Sequence, residues 1–541
     1  MKRTIAILLS LCLLVSFCAC SKGTSSSGGE AVAPSDAKQE APQSSGTDAA
    51  PVEKSKSGGT AVIAVTGDTS TINLYEIRGV SDSLYAEQLF EALMRLDENG
   101  KPVPFLAESM TGDPEALTYT IVLKKGIKFH DGSELTAEVC KWNLDMYKEY
   151  GVLSSSFMGK IDNIEVVDDY TVVIHMSSWD PFLPNNMGRA NGCGYMASKK
   201  AYDENGFDWV KEHPVSTSAF KFVSWERDTK MTLERFDDYW RGKPNLDKVE
   251  IVVYATPLVA QAALEAGEVH VVYSASFDMA DYLKEAGYNV VASATPSNCY
   301  SLPFDCTDET DPLSNVLVRQ ALCHAIDSQA IIDAVFGEYA KFSTQYSWPG
   351  SEYYNDSVVY EYDVAKAKDL LAQAGYPNGF KTVIHSVAAS PYSDICQIVK
   401  EQLLLIGVDV DIDNTDTAGY LANINGWGQG MLIHPMGLAN GPAAQMAANW
   451  VQGLSAGLGI TTMLHPDDLN DLIQKGMSQS GEDLINTFKE VQGMIFGKYC
   501  MIKVIGCVSA ISIVSPELKD SGFGAVTSAG AYDMYKAYLE K

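Results

Sequence analysis

The sequence predicts a mixed α/β fold, and three observations lead to that prediction. Its 541 residues are enough for two large lobes or for two to three domains. From Thr60 onward, stretches with the period of a strand alternate with stretches with the period of a helix. The chain shows no repeat of fixed length and no second low-complexity segment beyond the one near its N-terminus. We therefore expect lobes that are joined by ordered crossings.

The first residues have the pattern of an export signal. Lys2 and Arg3 precede an uncharged run over residues 4–17, which is shorter than the roughly 20 residues that a membrane-spanning helix needs. Ala19 stands before Cys20, where a bacterial lipoprotein signal places the cysteine that receives lipid. We expect residues 1–20 to be a lipoprotein signal peptide and Cys20 to be the lipidated residue.

Residues 21–57 are expected to form a disordered tether. The segment consists mainly of Ser, Gly, Ala, Pro, Glu and Lys, and it has no aromatic residue. Such a composition cannot bury enough apolar surface to fold. A flexible chain of this length has a reach of roughly 30–35 Å. The folded part would thus stay near the membrane and reorient freely.

The charge balance excludes two classes of partner. The sequence has 69 acidic residues against 40 Lys and Arg, a formal net charge of -29. Nucleic acid and anionic membrane surfaces would both repel such a chain. We expect an acidic body outside the cytoplasm, held to the outer face of the cell membrane by lipid or placed in a periplasm.

The elements follow in order along the chain. Thr60 to Val65 alternate as a strand does, and residues 81–97 carry leucines at helical spacing. Further strands are predicted within 117–129, 170–176, 248–255 and from Val408, and helices within 256–268, 318–337, 362–380, 393–407 and 469–496.

The stretch FHDGSELTAEVCKWNL, residues 129–144, raises the question of a metal or acid–base site, because it places close together His130, Asp131, Glu134, Glu138 and Cys140. An apolar stripe begins at Val139, three residues after Thr136. Threonine before such a stripe is a typical N-cap, and an acid in the first turn favours the positive helix end. We therefore interpret the stretch as a turn followed by a helix start.

The same stretch carries a family resemblance. FHDG followed by LTAE resembles the signature of the family 5 extracytoplasmic solute-binding proteins, which serve ABC importers for peptides and nickel complexes. Other segments resemble the family in the same order, namely residues 89–110, 220–251, 264–273, 318–337 and 362–380. The ordered set extends over the chain from about residue 60 to its end.

The resemblance implies a two-lobed clamp with mixed sheets, of the kind found in periplasmic binding proteins. Lobe I would comprise residues 58–300, lobe II residues 301–505, and residues 506–541 would return to lobe I. The chain would cross between lobes around SNCYSLPFDC and around KYCMIKVIGC. A peptide-like solute would be trapped as a monomeric receptor closes, and the closed form would dock on an ABC permease. An exported hydrolase of peptide-like molecules is the alternative.

Four residues are candidates for solute contact. Arg189 corresponds to a region that in relatives faces the cleft, and an arginine fork suits a carboxylate. Trp427 corresponds to a tryptophan that packs over the ligand in relatives. Tyr75 follows the first strand, and His434 could bind a metal complex, although each has a structural interpretation too. We expect no catalytic residue, no cofactor and no resident metal.

Two further motifs are interpreted as structural and not as functional sites. GWGQG, residues 426–430, lacks the Lys and Ser or Thr of a phosphate-binding loop. HPDD, residues 465–468, begins a helix, with proline at the start and acids in the first turn.

Eight cysteines follow the signal peptide. If each pair spans a strand, a disulfide bond can form neither between Cys299 and Cys306 nor between Cys500 and Cys507, and other pairings are left open.

The last expectation concerns the solute. From Thr417 to Pro466 the chain has no Asp, Glu, Lys or Arg, whereas about 10 would be expected at 20% charged residues. In peptide-binding relatives this region has an aspartate shortly after the tryptophan that matches Trp427, and it holds the ligand's terminal ammonium. Burying an ammonium without that partner is costly. We expect a solute that is N-blocked, cyclic or otherwise not cationic at that end, with its acid on Arg189.

Overall fold

A computed structural model describes residues 57–77, 80–152, 154, 158–189, 192–424, 426–438, 441, 443, 446, 462–524 and 532–540. The expected signal peptide, Cys20 and nearly all of the expected tether lie outside these residues. The strands are β1 Thr60–Val65, β2 Glu91–Ala92, β3 Met94–Leu96, β4 Pro102–Pro104, β5 Ala107–Asp113, β6 Thr118–Leu123, β7 Ile161–Asp168, β8 Thr171–Met176, β9 Tyr195–Met196, β10 Phe220–Glu226, β11 Lys230–Arg235, β12 Lys248–Val253, β13 Val271–Val272, β14 Asn289–Ala292, β15 Asn298–Pro303, β16 Ala340–Lys341, β17 Lys381–Val387, β18 Asp409–Thr415, β19 Met431–Leu432, β20 His434–Gly437, β21 Ile502–Val508, β22 Ile511–Val514, β23 Leu518–Lys519 and β24 Tyr538–Leu539.

The helices alternate with these strands. They are α1 Val80–Leu89, α2 Ala137–Tyr150, α3 Leu183–Asn186, α4 Lys199–Asn205, α5 Phe207–Val210, α6 Pro257–Glu265, α7 Phe277–Glu285, α8 Val316–Ala325, α9 Ser328–Val335, α10 Val364–Gln373, α11 Tyr392–Leu404, α12 Thr417–Asn423, α13 Asp467–Met477 and α14 Gly481–Gln492. Among the described residues, none of these helices has the length and apolar character needed to cross a bilayer.

One set of sheets builds the part that we call lobe I, residues 57–292 and 511–540. Its largest sheet has the order β10-β11-β12-β1-β13-β22-β14, in which β1 runs parallel to both β12 and β13. A second, antiparallel sheet has the order β5-β6-β8-β7. The inward side chains of both sheets share one apolar core, which includes Ile63 and Ile121, each fully buried. Lobe I is therefore held by burial of apolar surface from two sheets.

A separate core holds the part that we call lobe II, residues 298–508. Its sheets have the orders β16-β21-β15-β20 and β18-β17-β19. β17 pairs in parallel with β18, and helix α11 connects the two strands. The side chains of Ile395 and Val399 on α11 are fully buried in the core. The mixed α/β architecture predicted from the alternation of elements is thus present in both lobes.

Two short connections join the lobes. Residues 293–297 lead from β14 to β15, and residues 509–510 lead back from β21 to β22. They lie side by side, because the backbone N–H of Ser293 donates to the carbonyl of Ala510 at 2.8 Å. The segments expected to cross are themselves mostly strands of lobe II, and the connections flank them. The expected lobe limits at residues 300 and 505 stay predictions.

The helix start predicted at Thr136 is confirmed. Its hydroxyl accepts from the backbone N–H of Val139 at 3.5 Å, at the head of α2. Asp131 accepts from the backbone N–H of Ser133 at 3.0 Å in the preceding turn. The Nε2 atom of His130 lies 2.8 Å from the carbonyl of Ser218, and burial lowers the pKa of His130 to about 4. These contacts bind the chain to itself, as the structural interpretation requires.

The helix predicted over residues 81–97 is only half right. α1 ends at Leu89, and the rest forms β2 and β3. β2 pairs with β9, about a hundred residues later, and β3 pairs with β4. The leucines at helical spacing are buried in both parts, because alternate strand positions also point inward. Pairing with distant strands outweighs the local helical pattern here.

Asp533 anchors the C-terminal segment to lobe I. Its carboxylate lies 2.8 Å from Arg95 and 2.5 Å from Arg241. Burial raises the pKa of Asp533, but the two guanidinium groups outweigh that effect and lower it to about 2. A carboxyl group whose pKa is lowered on folding stabilises the folded state at pH values above its ordinary pKa of 3.8. That contribution to stability is lost as the pH falls through about 2.

We therefore expect Asp533→Asn to lower the free energy of unfolding by about 2 kcal/mol at pH 7. The difference between wild type and variant should shrink as pH falls from 5 to 2. Urea denaturation at pH 7 and pH 3 measures it, with Asp238→Asn, an exposed acid of lobe I, as the control. A loss of stability that is equal for the two variants, or independent of pH, would contradict the assignment.

Candidate functional site

The two lobes contact each other on the side of lobe I that carries β8 and α3. Phe182, which directly precedes α3, is 7% exposed because its ring packs into the core of lobe II, 5.8 Å from Phe488. The indole of Trp179 donates to the carbonyl of Gln479 at 3.2 Å. Lys101 pairs with Glu352 at 3.0 Å. These contacts, together with the two connections, bound the region where a solute between the lobes would lie.

Arg189 lies in a tightly folded loop that follows α3. The backbone N–H of Cys193 donates to the carbonyl of Asn186 at 2.9 Å, and that of Gly192 to the carbonyl of Arg189 at 3.0 Å. A Cβ on Gly194 would lie 1.9 Å from the carbonyl oxygen of Met187, so only glycine fits there. The loop therefore fixes the backbone from which Arg189 projects.

The charge of Arg189 is retained despite burial. Its Nη1 donates to Asn186 at 3.4 Å, and burial lowers the pKa of Arg189 to about 10. The guanidinium is consequently cationic at neutral pH. A partly buried, positioned guanidinium is suited to bind a carboxylate through two parallel hydrogen bonds. Its role in solute contact stays a prediction.

Trp427 lies in the core of lobe II at the turn between α12 and β19. Its ring is 6% exposed, and its indole N–H donates to the carbonyl of Gly430 at 3.3 Å. Gly428 and Gly430 have φ of 87° and 74°, and a Cβ on Gly430 would lie 2.2 Å from the carbonyl of Val383. The GWGQG glycines thus shape a turn that seats Trp427. Solute contact by this ring is untested.

His434 belongs to an aromatic wall, which we define as Tyr300, Tyr392, Tyr420 and His434. Successive ring centroids lie 5.8, 6.0 and 6.4 Å apart. Tyr300 is on β15, three residues after the first connection enters lobe II, and its strand pairs with β20, which begins at His434. The aromatic wall therefore lies near the end of lobe II at which the connection of residues 293–297 enters.

The chemistry of His434 follows from its hydrogen bonds. The hydroxyl of Tyr420 donates to the carbonyl of Ile433 at 2.9 Å and lies 3.0 Å from Nδ1 of His434. Since that hydroxyl has one proton, Nδ1 is the donor to it, and Nε2 is left as an acceptor. Burial lowers the pKa of His434 to about 4, so the imidazole is neutral at pH 7. A solute N–H or O–H could donate to Nε2.

Tyr75 lies inside lobe I. Its side chain is 4% exposed, its hydroxyl donates to Asn143 at 3.0 Å, and its ring meets Tyr147 edge-on at 5.0 Å. These contacts hold the 3₁₀ turn after β1 against α2. Tyr75 and Arg189 thus belong to lobe I, and Trp427 and His434 to lobe II. A contact of Tyr75 with the solute stays a prediction.

The residues of the aromatic wall other than His434 were not predicted from the sequence. They come from three segments that only the packing of β15, α11 and α12 brings together. No local pattern marks them, since each is a single tyrosine in a separate element. Within the described residues, no group of three or more His, Cys, Asp or Glu is placed to hold a metal ion.

Comparison with known proteins gives the following similarities. Residues 101–457 match the family model described as bacterial extracellular solute-binding proteins, family 5 middle. The glutathione-binding protein GsiB of Pectobacterium atrosepticum is 32% identical over 385 residues, which is 68% of this chain and 71% of that protein. GsiB of Salmonella typhimurium is 31% identical over 382 residues, 68% of this chain and 72% of that protein.

Solved structures show the same architecture. DppA of Helicobacter pylori, in complex with the peptide STSA, has a TM-score of 0.72 at 26% identity and covers 90% of this chain and 99% of its own. The ABC transporter substrate-binding protein CtaP of Listeria monocytogenes has a TM-score of 0.79 at 25% identity, with 90% and 100% covered. NikA of Brucella suis, at 19% identity, shares the fold with a TM-score of 0.78 over 89% of this chain and all of its own. The predicted two-lobed α/β fold is confirmed.

Proposed function

The chain belongs to family 5 of the bacterial extracellular solute-binding proteins, and on that premise we propose that it captures a peptide-like solute between its lobes and delivers it to the permease of an ABC importer. The observation that carries the proposal is the pair of short, adjacent connections between two separately packed lobes. Such a pair allows one lobe to rotate against the other while each core stays intact.

The exported hydrolase has no support among the relatives. GsiB is named as a glutathione-binding protein, and CtaP as a substrate-binding protein of an ABC transporter. A hydrolase would need a nucleophile or metal with a base within hydrogen-bond reach. His434, with its lowered pKa and its bond to Tyr420, serves better as a neutral acceptor for a solute than as a base.

The proposed solute is a small peptide-like molecule that carries a carboxylate and no isolated ammonium. Arg189 would bind the carboxylate from lobe I, and the aromatic wall with Trp427 would supply ring surface from lobe II. Glutathione, for which the GsiB relatives are named, fits this description, because its ammonium sits on the same carbon as one of its carboxylates. We propose a glutathione-type or N-blocked peptide, bound by a monomeric receptor.

Closure of the lobes should depend on Phe182. This ring packs in lobe II although it belongs to lobe I, so removing it weakens the contact between lobes and leaves the solute's own contacts in place. We expect Phe182→Ala to lower solute affinity about 100-fold, since truncating a buried phenylalanine costs about 3 kcal/mol.

Small-angle scattering and calorimetry measure this effect. In the wild type, saturating solute should reduce the radius of gyration. In Phe182→Ala, the same reduction should require a far higher solute concentration. Val359→Ala, at a residue 60% exposed on lobe II, is the matched control. An unchanged radius of the wild type at saturating solute would contradict a hinge.

We further propose that a lipid on Cys20 holds the protein on the outer face of the membrane. The supporting features are the basic residues, the uncharged run and Ala19 before Cys20. We expect Cys20→Ala to release most of the protein from the membrane fraction, because acyl chains would be the anchor. Cys18→Ala is the matched control and should stay bound. A Cys20→Ala variant that remains in the membrane fraction to the same extent as the parent would rule the anchor out.

A further inference from the structure

Two pairs of buried cysteines bring their sulfur atoms together in lobe II. The Sγ atoms of Cys299 and Cys507 are 3.0 Å apart, and those of Cys323 and Cys500 are 3.4 Å apart. All four residues are fully buried. We propose that in the exported protein these pairs are two disulfide bonds, Cys299–Cys507 and Cys323–Cys500.

The first pair has the backbone geometry of a cross-strand disulfide. Cys299 on β15 is the register partner of Cys507 on β21, in an antiparallel pair. Directly opposed residues of antiparallel strands have Cα atoms about 4.5 or 5.5 Å apart. A disulfide accepts Cα separations of about 4.4–6.8 Å. The bond therefore needs a small side-chain rotation and no movement of either strand.

The second pair joins a helix to the segment before β21. Cys323 lies on α8, and Cys500 lies just ahead of Ile502 with a φ of 45°. Two buried cations fix these backbones. Arg319 donates to the carbonyl of Cys500 at 3.0 Å, and Lys503 donates to the carbonyl of Cys323 at 3.0 Å. The two thiols are thus held facing each other by contacts that do not involve sulfur.

The same cations act on the Cys500 thiol once the lobe has folded. Burial raises the pKa of the Cys500 thiol, but hydrogen bonds from Cys323 and Tyr360 and the charges of Arg319 and Lys503 outweigh it and lower that pKa. The pKa of its partner Cys323 is raised, chiefly by burial. These shifts belong to the folded lobe, where all four thiols are buried, so an external disulfide reacts with the thiolate of either cysteine before folding is complete.

The oxidant is a second disulfide, either of an extracytoplasmic thiol–disulfide oxidoreductase or of glutathione disulfide. The thiolate of one cysteine of a pair attacks one sulfur of that disulfide, forms a mixed disulfide and releases a thiolate. Its partner cysteine gives up its proton and attacks the sulfur of the first cysteine, which releases the second thiol. Two cysteines are oxidised and one external disulfide is reduced to two thiols. The same exchange serves Cys299 and Cys507, in both cases before lobe II closes around the thiols.

One bond would fix β21, the strand that carries the chain back towards lobe I, and the other would fix the segment that leads into it. Cys507 lies two residues before the connection at 509–510, and Cys299 two residues after the connection at 293–297. The first bond therefore ties the two connecting strands together on the lobe II side. Hinge motion is then confined to the connections themselves. The partners are 208 and 177 positions apart in sequence, so each bond also closes a long loop of the unfolded chain.

The other cysteines supply an internal control. All eight cysteines of the described part of the chain are buried thiols in the structure, and the two short contacts between cysteine sulfur atoms involve only the proposed pairs, so Cys140, Cys193, Cys306 and Cys396 stand outside them. Cys193 lies 3.7 Å from the Met187 sulfur, and Cys306 lies 3.3 Å from the carbonyl of Phe304. These four are expected to remain thiols.

Mass spectrometry of the exported protein tests the assignment. Protein recovered from the outside of the membrane is denatured with and without a reductant, alkylated and digested. Beyond the signal region, four cysteines should be alkylated without reductant and eight with it, and peptides should be cross-linked from 299 to 507 and from 323 to 500. Eight alkylated cysteines without reductant, or any other linkage, would overturn the proposal. If only one of the two cross-linked peptides is found, the disulfide bond proposed for the other pair would be overturned.

The proposal rests on export, and a second arm separates the two. Protein without residues 1–20, made in a reducing cytosol, is unfolded in reductant and refolded in a glutathione redox buffer. The same two linkages should form there, whatever the fate of the signal. Their absence after complete refolding would overturn the disulfides and leave the receptor function untouched.

Paired variants give an independent measure. Cys299→Ser with Cys507→Ser, and Cys323→Ser with Cys500→Ser, should each lower the melting temperature of exported protein by about 5 °C or more, and reduction before refolding should do the same to the wild type. Cys140→Ser with Cys396→Ser is the control that should retain both linkages. If a double variant does not fold, the peptide map of the wild type still decides the assignment.

Discussion

An ordinary tripeptide with a free N-terminus is expected to bind at least 100-fold more weakly than the same tripeptide after N-acetylation. The reason is the acid-free stretch from Thr417 to Pro466. Within it, residues 417–424 and 426–438, which include Tyr420, Trp427 and His434, supply amide and aromatic groups but no carboxylate. A terminal ammonium buried there would lose several kcal/mol of hydration, and about 1.4 kcal/mol corresponds to each decade of affinity.

Two buried acids that contact the Trp427 turn are already engaged. Asp311 is 7% exposed, and its two oxygens accept from the backbone N–H groups of Gly430 and Leu313 at 3.0 and 2.8 Å. Asp305 is 1% exposed and accepts from the backbone N–H of Thr307 at 3.0 Å. Because each carboxylate holds its own loop, neither replaces the aspartate that peptide-binding relatives have after their tryptophan.

Calorimetry with trialanine, N-acetyl-trialanine and glutathione measures the effect. Trialanine should bind most weakly, and glutathione should bind despite its ammonium because that group has its own carboxylate beside it. Sub-micromolar binding of trialanine that is abolished by acetylation would contradict the account. The comparison is internal, since the first two ligands differ only at the N-terminus.

Arg189→Gln is expected to reduce the affinity for a carboxylate solute about 100-fold or more. The guanidinium donates to Asn186 and stays charged although burial lowers its pKa. Removing one member of a buried, hydrogen-bonded charge pair typically costs 2–5 kcal/mol. Glutamine keeps much of the volume and a donor, so the change isolates the charge.

The test compares a solute acid with its C-terminal amide. Wild type should prefer the acid by about two decades, and Arg189→Gln should bind the two alike. Arg227→Gln, at an exposed arginine of lobe I, is the control and should behave as wild type. Equal loss of affinity for acid and amide would show that Arg189 acts on the fold and not on the solute.

Local patterns predicted many elements because their signals are local. β1 was predicted over the residues that form it, and the N-cap at Thr136 follows from one hydroxyl ahead of an apolar stripe. The misread second half of residues 81–97 depends on strands far away in sequence, above all β9, which no local pattern shows. The family resemblance supplied the two lobes, whose connections lie a few residues outside the expected segments.

The candidate site was harder to predict for the same reason. Arg189, Trp427 and His434 came from the resemblance or from residue type alone, whereas Tyr300, Tyr392 and Tyr420 meet only when three separate elements pack. The close approach of Cys299 to Cys507 likewise depends on the register of two strands that are 208 positions apart. Pairing over such distances is set by tertiary packing, which a single sequence does not display.

Native mass spectrometry of freshly purified protein tests the central claim most directly. The account predicts a complex with one intact small molecule per chain, which is released on activation and identified as a peptide-like acid without an isolated ammonium. The same protein, given a mixture of peptides, should return them unchanged. Turnover of any peptide by the pure protein, with product and no retained solute, would contradict the assignment as a solute receptor.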